Sequence, residues 1–155
     1  MFNISQFREL IVQSTLNDLL FNSKDLEELL IFTCANESHG GTYLHQVKGP
    51  ALGIYQIEPA TYHDLWQNFI NQNNSLLLRI SSNFDHNVHN EARLIYDLRF
   101  STAMAACFYM RIKKPFPAYD DIDSIWDFYK MHYNTQKGAA TKDASISNYR
   151  KFISG

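Results

Sequence analysis

The chain has little excess charge and no long hydrophobic run, and each shortage excludes a class of function. Its 155 residues carry a formal net charge of -2, from 14 Lys and Arg against 16 Asp and Glu. A chain so close to neutral supplies no strong basic field for displacing counterions from nucleic acid, so we expect no nucleic-acid partner. No stretch approaches the roughly 18 apolar residues of a membrane span, and the N-terminus lacks signal-peptide character. We therefore expect neither membrane insertion nor a signal peptide.

Cysteine is also scarce, and the histidines form no metal-site pattern. Cys34 and Cys107 fall in separate predicted helices without CxxC spacing, which favours two buried, reduced thiols. His86 and His89 form an i, i+3 pair in HNVH, but no carboxylate or cysteine accompanies them at ligand spacing. We expect no metal and no cofactor.

The residues that are abundant predict a helical core. Hydrophobic residues make up 45% of the chain and aromatic residues 14%, enough to build one domain over residues 1–155. Apolar residues recur at i, i+3, i+4 and i+7, which is typical of amphipathic helices. We expect a mostly α fold, with one irregular segment between Gly40 and Pro59 in which LGIYQI could form a short strand.

Capping residues and apolar periodicity predict the order of the helices. They are a first helix capped by Ser5, a second from Asn22 or Ser23 to Gly40, a third from Pro59, a shorter one at SLLLRI, a long stretch from Leu94 to Phe108 broken near Asp97, one from Ile122 to Tyr133, and a short last one with Tyr149 and Phe152.

Glu37 ends the second predicted helix, in CANESHGG. Eleven residues separate it from Leu26, so at about 100° per residue it returns to within about 20° of the face that Leu26, Leu29 and Leu30 share. Desolvation on an apolar face and the negative end of the helix dipole both disfavour ionisation of a carboxyl group. A carboxyl group with a raised pKa suits a general acid that works near neutral pH, although a partly solvated helix end is the ordinary alternative.

Two later segments carry further groups suited to a site. GIYQIEPATY, residues 53–62, begins in the irregular segment and runs into the third predicted helix; within it Gly53 permits close backbone approach and Gln56 offers an amide. YNTQKGA puts the phenol of Tyr133 and the amide of Asn134 at another junction between a helix and a loop.

These three motifs, in this order and spacing, resemble the lytic transglycosylase family of the lysozyme-like superfamily. The resemblance covers residues 26–139, and the details are most similar to the small transglycosylase-like proteins of bacteriophages and prophages. The chain departs from the family pattern at Tyr55, where Met is common, and at Gln136, where Gly is usual. The resemblance implies a lysozyme-like helical domain in which an irregular or β-containing segment lines a substrate groove.

The resemblance also implies a role for each matched residue. Glu37 would protonate the glycosidic oxygen between N-acetylmuramic acid and N-acetylglucosamine and then act as base, leaving a 1,6-anhydro end. The implied substrate-binding residues are Ser38, Gly53, Tyr55, Gln56, Tyr133 and Asn134, with Tyr133 hydrogen-bonded to the Glu37 carboxyl group. The implied partners are peptidoglycan glycan strands and other virion proteins, and the implied location is the virion or the host cytoplasm, with the cell wall as target.

The sequence also bears on hydrolysis as the alternative reaction. A hydrolytic glycosidase needs a second carboxylate about 5 Å, or about 6.5–9.5 Å, from the first. Residues 38–57 contain no Asp or Glu, and Glu58, just before Pro59, is predicted to cap the third helix. This favours a transglycosylase with a single catalytic acid over a hydrolytic lysozyme with two carboxylates. A noncatalytic wall-binding module on the same fold is the third alternative.

Aromatic and histidine side chains near the irregular segment are candidates for contact with sugar rings. Tyr43, His45, Tyr55 and Tyr62 offer flat faces with polar edges, which suit amphipathic glycans, and packing in the core is an equal alternative for each.

Overall fold

The computed structural model describes residues 1–85, 90–135 and 138–155, and it is mostly helical, as predicted. The described α-helices are α1 (Ile4–Gln6), α2 (Ser14–Asp18), α3 (Lys24–Glu37), α4 (Pro59–Asn68), α5 (Asn74–Asn83), α6 (Arg93–Tyr96), α7 (Leu98–Met110), α8 (Ile122–Tyr129) and α9 (Lys142–Ser154). Two π-helical segments, Phe7–Gln13 and Lys130–Asn134, join α1 to α2 and extend α8, and a 3-10 turn, Ile70–Gln72, follows α4.

Helix α3 lies at the centre of the molecule. Nine of its fourteen residues are buried, including Leu26, Leu29 and Leu30 on the predicted stripe and also Ile31 and Phe32 outside it. A helix that is apolar on most of its circumference is buried among others rather than lying on a surface. Helices α7, α8 and α9 and the π-helical segment Phe7–Gln13 all pack against it, so its C-terminal residue is surrounded by the rest of the fold.

A side-chain cap begins five of the nine described α-helices. The Ser23 hydroxyl accepts a hydrogen bond from the Leu26 amide at the start of α3, and Asp97 does the same for Phe100 at the predicted break before α7. The first helix begins earlier than predicted. Asn3 rather than Ser5 caps it, by accepting from the Gln6 amide at 3.1 Å. Because Asn3 accepts from the free Gln6 amide, the helix begins at Ile4 and Ser5 lies inside it.

The irregular segment between α3 and α4 lines one side of the molecule without forming a sheet. Within the described residues no β-strand forms, and the segment has two isolated antiparallel bridges, His45 to Leu52 and Leu52 to Ile57. The short strand considered at LGIYQI is therefore wrong, because the left-handed conformations of Gly53 and Gln56 turn the chain back on itself. None of the described helices is long and apolar enough to cross a membrane.

Candidate active site

Helix α3 ends at Glu37 because the chain turns sharply over the next four residues. His39, Gly40 and Gly41 all have positive φ, and the amides of Ser38 and Gly40 both donate to the Cys34 carbonyl. The Ser38 hydroxyl accepts from the Gly41 amide at 3.0 Å and is fully buried. Ser38 therefore holds the turn directly after Glu37, and its contact with substrate stays a prediction.

Glu37 lies against aromatic rings that remove its carboxyl group from water. The Tyr129 hydroxyl donates to Glu37 Oε1 at 2.6 Å, and the phenols of Tyr109 and Tyr133 are close enough to interact with its charge. Burial raises the pKa of Glu37 to about 7, although hydrogen bonds from Tyr129 and Asn134 oppose the rise. A carboxyl group that titrates near neutral pH can both give and take a proton under physiological conditions.

A cavity of about 680 Å³ opens beside Glu37, and its size is typical of a small-molecule or oligosaccharide site. Segments distant in the sequence form its wall: the end of α3, the irregular segment, the start of α4, one residue of α7, and the π-helical turn after α8. The lining residues are Glu37, His39, Tyr43, Gln46, Val47, Ala51, Gln56, Ile57, Glu58, Thr61, Phe108, Tyr133, Asn134, Thr135 and Gly138.

Of the six predicted substrate-binding residues, Gln56, Tyr133 and Asn134 line this cavity together with Glu37. Gln56 adopts φ of +49°, and its side-chain amide donates to the Gly53 carbonyl at 3.0 Å. A non-glycine residue in this conformation is held by its surroundings, which is common at ligand sites.

The predicted hydrogen bond from Tyr133 to Glu37 is wrong. The Tyr133 hydroxyl donates instead to the backbone carbonyl of Tyr55 at 2.6 Å, and Tyr129 contacts the carboxyl group. Tyr133 thus ties the π-helical turn to the irregular segment across the cavity floor. Its ring stacks on Tyr129 at 6.1 Å between centroids, so it supports the ring whose hydroxyl reaches Glu37.

Gly53 and Tyr55 are both buried, and neither lines the cavity. Tyr55 is fully buried, and its hydroxyl hydrogen-bonds Thr102 at 3.1 Å on α7. Gly53 permits a close backbone approach, as predicted, but the approaching group is the Leu94 carbonyl. Neither residue faces the space where a ligand would lie.

Among the residues considered for contact with sugar rings, Tyr43 alone lines the cavity. It is 45% exposed and packs edge-on against His39 at 5.8 Å between ring centroids. Tyr62 is fully buried, which is the packing alternative that the sequence left open. His45 is exposed, and its Nδ1 hydrogen-bonds the Gln46 carbonyl.

Glu58 is the second carboxylate on the cavity wall. It occupies the N-cap position of α4, as predicted, but its side chain makes no capping hydrogen bond, so the predicted capping role is wrong. The side chain is exposed and lines the same cavity as Glu37. The cavity therefore holds one carboxyl group that is buried among phenols and one that is open to water.

The described residues contain no cluster of three or more His, Cys, Asp or Glu arranged to hold a metal ion. The His86 and His89 pair and Gln136 lie outside the described residues. Cys34 and Cys107 are buried free thiols, as predicted, and burial raises the pKa of each to about 12.

Sequence reasoning missed Tyr129, Lys130 and Phe108. Lys130 Nζ donates to Asn134 Oδ1 at 2.8 Å, and the Phe108 ring packs against Tyr133 at 4.8 Å between centroids. The sequence does hold a signal for Tyr129, because it stands one turn before Tyr133 on the stripe of Ile125 and Trp126. The Tyr-Asn motif instead favours Tyr133 as the residue that hydrogen-bonds Glu37.

Replacing Tyr129 with Phe should raise the pKa of Glu37 above 7. The change removes the hydroxyl that donates to Oε1 and favours the ionised carboxylate, while the ring keeps its packing on Phe32 and Tyr133. The measurement is an NMR pH titration of protein labelled with ¹³C at the Glu side-chain carboxyl, with the Glu37 signal assigned from its loss in Glu37→Gln.

The matched control is Tyr133→Phe, which removes a hydroxyl that donates to a backbone carbonyl and not to Glu37. We expect a smaller displacement of the Glu37 midpoint in that variant. A larger displacement with Tyr133→Phe than with Tyr129→Phe would contradict this description of the site.

The chain matches no protein-family model, no curated protein and no solved structure. The chemistry of the site and the order of the sequence motifs are therefore the grounds for assigning a function.

Proposed function

We propose that the protein is a peptidoglycan lytic transglycosylase that cleaves the β-1,4 bond between N-acetylmuramic acid and N-acetylglucosamine and leaves 1,6-anhydro-muramoyl ends. One observation carries the proposal: a carboxyl group with a pKa of about 7, Glu37, lies on the wall of a cavity of about 680 Å³. A general acid is most effective when its pKa is close to the working pH, because it is then protonated and still able to release the proton.

Glu37 would act twice in this reaction. It first gives its proton to the glycosidic oxygen as the bond from that oxygen to C1 of the muramoyl sugar breaks. The C6 hydroxyl of the same sugar then attacks C1, and Glu37 takes back the hydroxyl proton as the C6 oxygen bonds to C1. The carboxyl group ends the cycle protonated, and no water molecule is consumed.

The neighbours of Glu37 suit this double role. The carboxylate formed in the first step accepts hydrogen bonds from Tyr129 and Asn134, which stabilise it without a positive charge in contact. Gln56 and Asn134 provide amides on the cavity wall, and Tyr43 provides an exposed ring. Amides recognise N-acetyl and hydroxyl groups, and a flat ring covers the apolar face of a sugar.

The lysozyme-like architecture and the similarity to phage transglycosylases belong to the same proposal. They are supported by the order of the three motifs and by the shared cavity, to which Glu37, Gln56 and Asn134 each contribute from a different motif. The substrate would be glycan strands of the cell wall, and the protein would act as part of a virion or from the host cytoplasm.

Digestion of purified sacculi tests the proposal. The protein should release muropeptides whose muramoyl residues are 18 mass units, one water, lighter than those with reducing ends. Mass spectrometry of the products, before and after borohydride treatment, distinguishes the two, because only reducing ends react. A product with reducing ends alone would contradict the anhydro reaction and support hydrolysis.

Glu58 supports a second candidate, a hydrolytic lysozyme. A hydrolase needs a base that directs water to C1, and Glu58 is an exposed carboxylate on the same cavity as Glu37 with no capping bond to hold it elsewhere. In a transglycosylase the nucleophile belongs to the substrate, so no second carboxylate is required.

Replacing Glu58 with Gln distinguishes the two candidates. We expect the release of muropeptides from sacculi to fall by less than about tenfold and the products to remain anhydro, since general-base assistance to water would be worth roughly 10²–10⁴-fold. A loss of a hundredfold or more would favour the lysozyme. Because Glu58 is exposed, the fold should be unaffected, which circular dichroism can check.

A further inference from the structure

Lys130 holds the side chain of Asn134 from the side away from Glu37. Its Nζ donates to Asn134 Oδ1 at 2.8 Å and to the Gly138 carbonyl at 2.9 Å. Lys130 begins the π-helical turn that Asn134 ends, so both lie in one short segment. The chain beyond this turn is thereby attached to the helix at Gly138, which also lines the cavity.

The chemistry of the ammonium group fixes the orientation of the amide. A lysine ammonium only donates hydrogen bonds, so the atom of Asn134 that faces it must be the oxygen. The Asn134 side chain is also close enough to the Glu37 carboxyl group and the Tyr129 hydroxyl to favour the ionised form of each, so its NH₂ group is the end that faces them. An amide that is free to rotate by 180° could present its oxygen to Glu37 instead.

We propose that Lys130 is a positioning residue that locks the Asn134 amide in the one orientation in which its NH₂ group donates to the Glu37 carboxylate. This inference rests on the proposed function for its catalytic meaning, because the carboxylate is the state that Glu37 reaches after it protonates the glycosidic oxygen. With the amide turned the other way, its oxygen repels that state. Lys130 thus acts on the reaction through Asn134, without touching the substrate.

Gly138 leaves room for the Asn134 amide, because it has no side chain. A Cβ added at this position would collide with the Asn134 amide oxygen. The collision is steric and does not depend on a left-handed backbone, because Gly138 is not among the positive-φ residues. The absence of a side chain at Gly138 therefore allows the Asn134 amide to occupy the position in which its oxygen accepts from Lys130.

The first test replaces Lys130 with Met and follows the Glu37 carboxyl group by ¹³C NMR in the protein without substrate. Without the hydrogen bond from Lys130 to the Asn134 oxygen, here called the lock, the Asn134 amide can rotate and its donation to Glu37 weakens. We therefore expect the Glu37 titration midpoint to move to higher pH. The titratable groups facing Glu37 are the phenols of Tyr109, Tyr129 and Tyr133, with His39 and Glu58 on the same cavity wall, and all of them remain. Lys130→Arg keeps a group that only donates and should restore the midpoint.

A double-mutant cycle separates the lock from a direct effect of the lysine charge. In an Asn134→Ala background, Lys130→Met should no longer move the midpoint, since the amide through which Lys130 acts is gone. A displacement of the same size in that background would overturn the proposal and leave charge alone as the cause. No displacement in the Lys130→Met single variant would also overturn it.

A second variant keeps the proposal testable if Lys130→Met does not fold. Gly138→Ala retains Lys130 and pushes on the Asn134 amide oxygen, and it should raise the same midpoint. An unchanged midpoint in folded Gly138→Ala would count against the lock.

Activity on sacculi gives the separate readout for the proposed function. There Lys130→Met should lower kcat by about tenfold with KM little changed, since a misoriented catalytic group costs mainly the chemical step. If the midpoint moves as expected in a protein that releases nothing from sacculi, the lock stands and the proposed function fails.

Discussion

Replacing Glu37 with Gln should lower the rate of muropeptide release from sacculi by at least about a hundredfold. The amide keeps the size of the carboxyl group and its place beside the Tyr129 hydroxyl, but it has no proton to give to the glycosidic oxygen and cannot take one back. The measurement is the initial rate of release of soluble muropeptides at pH 6 to 7, compared with wild-type protein at equal concentration.

The pH dependence of stability tests whether the same variant is folded and whether the half-buried Glu37 carboxyl group is held away from water. In wild-type protein the pKa of Glu37 is about 7, against 4.5 for a glutamate in water. A raised folded-state pKa contributes stability that is fully present below pH 4.5 and is lost as the pH rises through 7. Glu37→Gln has no carboxyl group to ionise at this position and lacks this loss. The unfolding free energy of the variant minus that of wild type should therefore increase by up to about 3 kcal/mol between pH 4 and pH 8.

Retained activity in Glu37→Gln would contradict the single-acid mechanism. A noncatalytic wall-binding module predicts a different pattern: no release of muropeptides by wild type, and equal binding to sacculi by both proteins. Measuring binding by co-sedimentation beside release by mass spectrometry therefore tests the catalytic and the binding alternatives with one pair of proteins.

The position of Glu37 could be predicted from sequence because it depends on local rules. Periodicity places Glu37 on the stripe of Leu26, Leu29 and Leu30, and paired glycines end the helix just after it. Helical periodicity and capping residues likewise predict α3, α4 and α7 and the break at Asp97. Predicting these features does not require knowing which segments of the chain pack against each helix.

The partners of Glu37 could not be predicted, because they depend on the path of the chain between distant segments. Tyr129 and Tyr133 are four residues apart, and the π-helical geometry of Lys130–Asn134 changes the direction in which each side chain points. The resemblance of the Tyr-Asn motif implies a hydrogen bond from Tyr133, whereas the hydroxyl that reaches Glu37 belongs to Tyr129.

The irregular segment shows the same limit for burial. Ser38, Gly53 and Tyr55 stand in motifs beside the site, yet each makes its contacts behind the cavity wall. A tight turn brings neighbouring residues to opposite sides of the backbone, so proximity in sequence to Glu37 or Gln56 does not imply access to the cavity. The identity of a motif residue and its exposure are separate properties, and sequence motifs indicate only the first.

Gly53→Ala should be the most destabilising single methyl addition in the irregular segment, lowering the unfolding free energy by at least about 3 kcal/mol. Gly53 has φ of +78°, which disfavours any side chain, and a Cβ there would collide with the backbone carbonyl of Leu94, which cannot move aside as a flexible side chain can. The measurement is urea unfolding followed by circular dichroism.

Gly49→Ala is the matched control for this change. Gly49 lies four residues earlier in the same segment, does not have positive φ, and a Cβ there would meet only the flexible end of the Gln46 side chain. We expect a loss below about 1 kcal/mol, since that amide can move aside. Equal stability of the two variants would show that the Leu94 contact is not rigid. A large loss of stability specific to Gly53→Ala would instead mean that Gly53 is required for packing against α6, whether or not a sugar binds nearby. The Gly53 amide also donates to the Leu44 carbonyl, and the Gly53 carbonyl accepts from Gln56, so a shift of the Gly53 backbone would disturb both contacts.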